Sequence, residues 1–136
     1  MANTEEADKR LVEAADAVIG ASELLGEARS TLDDPRFGSE KEPERLQAFQ
    51  AAQRATENAV KKLEEALKKA TVAAAVRGAS GAFAQYRAVG DKLTLARAEL
   101  KAAPNADGVA AKQERLRAGI GAADEALAIV QGLVFA

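Results

Sequence analysis

Acid–base chemistry in this chain would have to run on carboxylates, lysine and arginine, because its 136 residues include no histidine and no cysteine. The absence of histidine removes the commonest general base and the commonest transition-metal ligand. It also removes the Glu-x-x-His pairs of di-iron helical bundles. Without cysteine there is neither a thiolate nucleophile nor a disulfide framework. The only methionine is Met1, so the usual haem ligands are missing as well. Carboxylate pairs could still exchange protons. The acids Glu13, Asp16, Glu23, Glu27, Glu57, Glu64 and Glu65, however, fall on outer faces of the expected helices, and no pattern buries two of them together.

Two acidic clusters could offer oxygen ligands to Mg²⁺ or Ca²⁺, Asp33-Asp34 and Asn105–Asp107. Neither has the spacing of an EF-hand loop, and Asp and Asn are ordinary turn formers. Gly78-Ala79-Ser80-Gly81 lacks the preceding strand and the Gly-Lys-Ser/Thr ending of a phosphate loop. Basic residues between Arg54 and Lys101 are interleaved with acids, and a pI near 5.3 opposes a general polyanion-binding role. The residue types therefore point to no catalytic group, no cofactor, no metal and no nucleic-acid partner.

What they do specify is helices. Ala7, Ala14, Ala21 and Ala28 recur at seven-residue steps beside a bulkier line of Leu11, Val18, Leu25 and Leu32. Paired lines of this kind form a narrow apolar seam that lets helices approach and interlock. The seam repeats in a second segment: Leu46, Gln53, Val60, Leu67 and Ala74 run beside Phe49, Thr56, Leu63 and Ala70. Ala52, Ala59, Ala66 and Ala73 add a third line there. A third segment carries Tyr86, Leu93 and Leu100 beside Ala82, Val89, Ala96 and Ala103. A fourth carries Val109, Leu116, Ala123 and Val130 beside Gln113, Ile120, Leu127 and Val134. Gln53, Thr56 and Gln113 interrupt these lines. They are expected at seam edges within reach of water, the alternative being a buried polar layer that fixes register.

Helix boundaries follow from the breakers. Asn3 with Glu6 reads as a capping box. Pro35 and Gly38 interrupt the chain after Leu32, with Phe37 expected to fold back on the bundle end. Ser39 with Glu42, followed by Pro43, opens the second helix. Two glycines at Gly78 and Gly81 are expected to break it, the alternative being one long helix to Ala103 bent at this point, and Pro104–Gly108 is the last turn. The helices therefore fall at about 4–32, 44–77, 82–103 and 107–134, in one domain spanning 1–136. Short links make neighbours antiparallel, so the expected fold is all-α: an up-down-up-down four-helix bundle with alanine-rich heptad seams. A 3.5-residue period implies left-handed supercoiling. At 1.5 Å per residue the second helix should reach about 50 Å and the third about 33 Å, so part of the second should project beyond its neighbours or be covered by the first and last helices.

Charge is unevenly placed. Residues 1–50 hold twelve acids and six bases, whereas 51–101 hold five acids and ten bases, within a net charge of −2. Such asymmetry implies either neutralisation between neighbouring helices or a dipolar surface able to orient assembly. The most apolar window lies at the C-terminus. Its Leu127, Ile129, Val130, Leu133, Val134 and Phe135 cover more than one helical stripe, a surplus that suggests a protein partner or another copy of the chain. The competing reading tucks this end under the Phe37 loop.

The expected role is a non-enzymatic structural or interaction protein within a larger assembly. The alternative is a bundle holding a small apolar ligand or lipid between its alanine-lined helices. The polar Met1–Arg10 lacks the pattern of a secretory signal, and no stretch approaches the roughly 20 apolar residues of a membrane span. A cytoplasmic or virion-associated location follows by default.

Overall fold

The computed structural model describes residues 2–78, 81 and 83–135, with side chains from residue 5 onward. All regular structure among them is helical: α1 (Ala2–Thr31), α2 (Glu42–Arg77), α3 (Phe83–Ala102) and α4 (Gly108–Val134). Short 3₁₀ turns at Pro35–Gly38 and Ala103–Asn105 complete two of the links. Ala82, expected on a core line of α3, lies outside the described residues.

Side-chain pairs give the direction of every neighbour. Asp8 near the start of α1 meets Arg77 at the end of α2 (3.4 Å), while Lys62 lies over Gly20 midway along. Arg97 near the end of α3 reaches Glu64 of α2 (3.0 Å), and Leu67 lies beside Gly90. Arg115 of α4 meets Glu99 of α3 (3.2 Å), and Lys92 meets Glu125 (2.7 Å). Arg29 at the end of α1 pairs with Asp124 of α4, and Val134 lies against Asp8 and Leu11. All four pairings run antiparallel, the up-down-up-down topology expected for short links. The packing is uneven. α1 packs most extensively on α2, and α3 on α4; α2 also contacts α4 across the diagonal, and α1 and α3 occupy opposite corners.

The interior holds the residues that the spacing selects. Ala14, Val18, Ala21, Leu25 and Ala28 of α1 join one cluster with Ala52, Val60, Leu63 and Ala66 of α2. Val89, Leu93 and Ala96 of α3 and Leu116, Ile120, Ala123 and Val130 of α4 complete it. Small residues on one edge let α1 and α2 approach closely, and the leucines fill what remains, which is why this helix pair is the tightest.

Leu46 is a correction: it is exposed rather than in the core. Gln53 already reaches the carbonyl of Leu100, near the last turn of α3, so the first turns of α2 run past the neighbouring helix ends. At 1.5 Å per residue α2 is about 54 Å long and α3 about 30 Å, and the difference appears as this overhang. The Pro35–Gly38 turn packs on α2, and Phe37 is partly buried against the core as expected. Thr56 is a second correction. It is fully buried, and its hydroxyl donates to the Ala52 carbonyl of its own helix (2.8 Å), which satisfies it without water. Gln53 remains half-exposed.

The helix ends differ from the expected caps in detail. α1 already includes Asn3, whose side chain lies outside the described ones; Glu6 instead accepts from Arg10 (2.8 Å). Lys41, not Ser39, occupies the cap of α2, although Ser39 still organises the entry by accepting from the Lys41 amide (3.1 Å) and donating to Glu44. Gly78 ends α2 in the left-handed conformation (φ 74°), its N–H bonded to Ala74 and Ala75 carbonyls. A side chain is disfavoured there, which explains the break at this glycine.

Candidate interaction surfaces

The C-terminal window divides into core and surface. Leu127, Val130 and Val134 are buried in the main cluster, and Ile129 and Leu133 pack partly buried against it. Only Phe135 stands out, at 54% exposed. The surplus inferred from the window is thus mostly internal, and Leu127, Val130 and Val134 cannot reach a partner while α4 stays packed. The reason is the stripe that α4 buries, Leu116, Ile120, Ala123, Leu127, Val130 and Val134, which runs into this window without a break. Nor does the end tuck under Phe37. Val134 lies beside Asp8, Leu11, Val12 and Ala15, at the opposite end of the bundle from the loop that follows α1.

Exposed apolar side chains that composition did not flag include Leu95 on α3 and a pair on α1. Val12 is 61% and Ile19 51% exposed, seven residues apart and so on one outward line. Asp16 and Glu23 alternate with them along the same ridge, and both are exposed. None of Glu5, Asp16, Glu23 and Glu27 makes an ion pair among the described residues. Asp8, bonded to Arg77, is the single α1 acid that pairs with the basic middle of the chain. Neutralisation between neighbours is therefore slight, and the charge asymmetry remains on the surface. The seven-residue spacing of Val12 and Ile19 was legible in the sequence, but they were masked by the stronger Ala/Leu lines beside them.

The seam between α2 and α3 is open on its outer side. Connected hollows of about 250 and 420 Å³ run along it and share Glu57, Arg97 and Leu100. Val60 and Leu100 form an apolar floor. A third hollow extends the groove over Phe49 to Pro104. That end is held shut by Lys112, which donates to the carbonyls of Pro104 (2.7 Å) and Ala106 (2.8 Å) and lies 5.7 Å from the centre of the Phe49 ring. The lips carry both signs with bases in excess: Arg54, Lys61 and Lys101 are exposed and make no ion pair among the described residues, while Glu57 borders all three hollows and accepts from the Gln53 amide (3.1 Å). Arg97 spans the seam to Glu64, so the i,i+4 pairing of Glu64 with Lys68 does not form, whereas Glu65 does hold Lys69 (2.9 Å) and Lys62 (3.2 Å).

The carboxyls with a resolved shift move down: hydrogen bonds from Arg36 hold Asp34 below the usual range, and those from Lys69 and Lys62 do the same for Glu65. A general acid at neutral pH needs the opposite displacement. Burial pushes the Tyr86 phenol above its ordinary range, with Arg77 opposing weakly. Asp34 is engaged by the amide (2.9 Å) and guanidinium (2.7 Å) of Arg36. No three Asp or Glu side chains converge among the described residues, and no helix of the described residues is long and apolar enough to cross a membrane. No protein-family model, no curated protein and no solved structure matches this chain.

Proposed function

We propose that the protein is a non-enzymatic helical interaction module, acting as a component of a larger assembly through its outer helical surfaces. The observation that carries this reading is the exposed pair Val12 and Ile19 on the outward ridge of α1. Both lie outside the buried cluster and leave more than half of their surface to solvent, and such displayed apolar surface is characteristic of binding sites. The residue types support the non-enzymatic part: histidine and cysteine are absent, and the ionised groups lie at the surface. The alternative reading, a binder of a small apolar ligand or lipid, is favoured by one feature, the apolar floor of Val60 and Leu100 in the α2–α3 groove.

Photo-crosslinking in source cells tests the leading reading. A photoreactive residue at position 19 should yield a discrete adduct, and the same residue at the exposed position 118 on α4 should not. Equal diffuse labelling at both positions, or none at either, would overturn it. Native mass spectrometry of gently purified protein tests the alternative through a co-purified small adduct.

A further inference from the structure

We propose that the occupant of the α2–α3 groove is the α1 ridge of a second copy of this chain, so that copies associate head to tail. The proposal rests on the reading of the protein as an assembly module and names its partner. Its basis is a match in shape and charge. The ridge is convex and alternates Val12, Asp16, Ile19 and Glu23. The groove is concave, with Val60 and Leu100 at its base and the unpaired bases Arg54, Lys61 and Lys101 along its lips, in excess of Glu57; Arg97 and Glu64 there hold each other. An apolar side chain of the ridge meets the floor while each intervening carboxylate meets a lip, an arrangement in which charge steers and apolar contact holds. Val12 and Ile19 are about 10 Å apart along the helix, and the groove from Phe49 to Glu64 runs for about 22 Å, so the ridge fits within it.

The two surfaces cannot meet within one copy, because α1 and α3 stand at opposite corners of the bundle and the ridge faces outward. They are also different patches. A contact between them is therefore heterologous, and each pair of copies retains one free ridge and one free groove; further copies add until a ring closes or a filament grows. Among the described residues, Asp16 and Glu23 on the ridge and Lys61 and Lys101 on the lips make no ion pair, whereas Arg97 pairs with Glu64.

Sedimentation of the purified full chain over a concentration series tests this directly. The wild type should exceed twice the chain mass as concentration rises, and should dissociate when salt is raised from about 50 to 500 mM. Ile19→Asp blocks the ridge, and the double variant Lys61→Glu/Lys101→Glu blocks the groove. All three side chains are exposed, and unchanged circular dichroism verifies the fold. Each variant alone should lose association by at least about tenfold in affinity. Mixed one to one, they should form a dimer and stop there, because one intact ridge and one intact groove remain.

A wild type that stays monomeric overturns the proposal. So does a dimer that Ile19→Asp abolishes and the groove variant leaves intact, which would be a symmetric ridge-to-ridge contact. So does a monomer whose groove takes an anionic fatty acid, read by native mass spectrometry with dodecanoate as the probe. A monomeric protein that still crosslinks a different protein at position 19 overturns self-assembly alone. A monomer without any adduct overturns the interaction module too.

Discussion

At the scale of single residues, the missing side chains have a thermodynamic consequence. With no histidine and no cysteine, no side chain has an ordinary pKa between the carboxylate range and that of tyrosine and lysine. Stability should therefore be flat from about pH 6 to pH 8.5 in urea titrations. Both limbs have definite signs. Asp34 and Glu65 have depressed folded-state pKa values, so their contribution is present above the ordinary carboxylate range near 4 and is lost as pH falls through the lower folded values. Tyr86 is raised by burial, so its contribution holds below the ordinary phenol value near 10 and is lost as pH climbs through the higher folded value. A step in stability near pH 6.5 would contradict this assignment. Glycine supplies a second test. A Cβ at Gly121 or Gly132 in α4 meets nothing within 4 Å, and neither has positive φ. Alanine at either should raise stability by about 0.8 kcal/mol, whereas Gly78→Ala should lower it by about 1 kcal/mol because the left-handed cap is retained. Denaturation midpoints of the three variants decide the matter.

At the scale of elements, periodicity located each helix within a few residues, and side-chain choice set the tightness of each pair. The buried Thr56 is the informative exception. Its hydroxyl is bonded only to the Ala52 carbonyl of its own helix, so it binds no neighbouring helix and cannot by itself fix register. Thr56→Val keeps the shape and removes a buried hydroxyl; stability should be unchanged or rise by up to about 1 kcal/mol. A loss greater than about 1 kcal/mol in chemical denaturation would show that the hydroxyl has a further role between helices. Helix ends were less legible. Ser39 and Glu42 have the spacing of a capping box, but Ser39 bonds Glu44 and the Lys41 amide, because the 3₁₀ turn at Pro35–Gly38 fixes where the chain enters α2.

At the scale of the whole molecule, two hairpins leave their mutual seams comparatively open; the α1 ridge is acidic, and the α2–α3 lips carry an excess of bases over acids. Apart from Asp8, which meets Arg77, the acids of α1 make no ion pair with α2 among the described residues; there Lys62 lies against Gly20 and is held by Glu65. The asymmetry read from the first hundred residues is therefore a property of the surface. The proposed head-to-tail association rests on that placement, and its expected salt dependence belongs to this scale because it sums charges from three helices.

The sequence by itself determined the helices, their antiparallel order and most of the interior, since these follow from the spacing of apolar side chains and the position of Gly and Pro. Tertiary structure alone decided which apolar residues were surplus. Periodicity reports that a residue lies on a stripe but not whether a neighbouring helix covers it. Leu127, Val130 and Val134 are covered by the bundle, whereas Val12 and Ile19 remain more than half exposed. The unequal lengths of α2 and α3 explain Leu46 in the same way, because a core position needs a helix long enough to meet it.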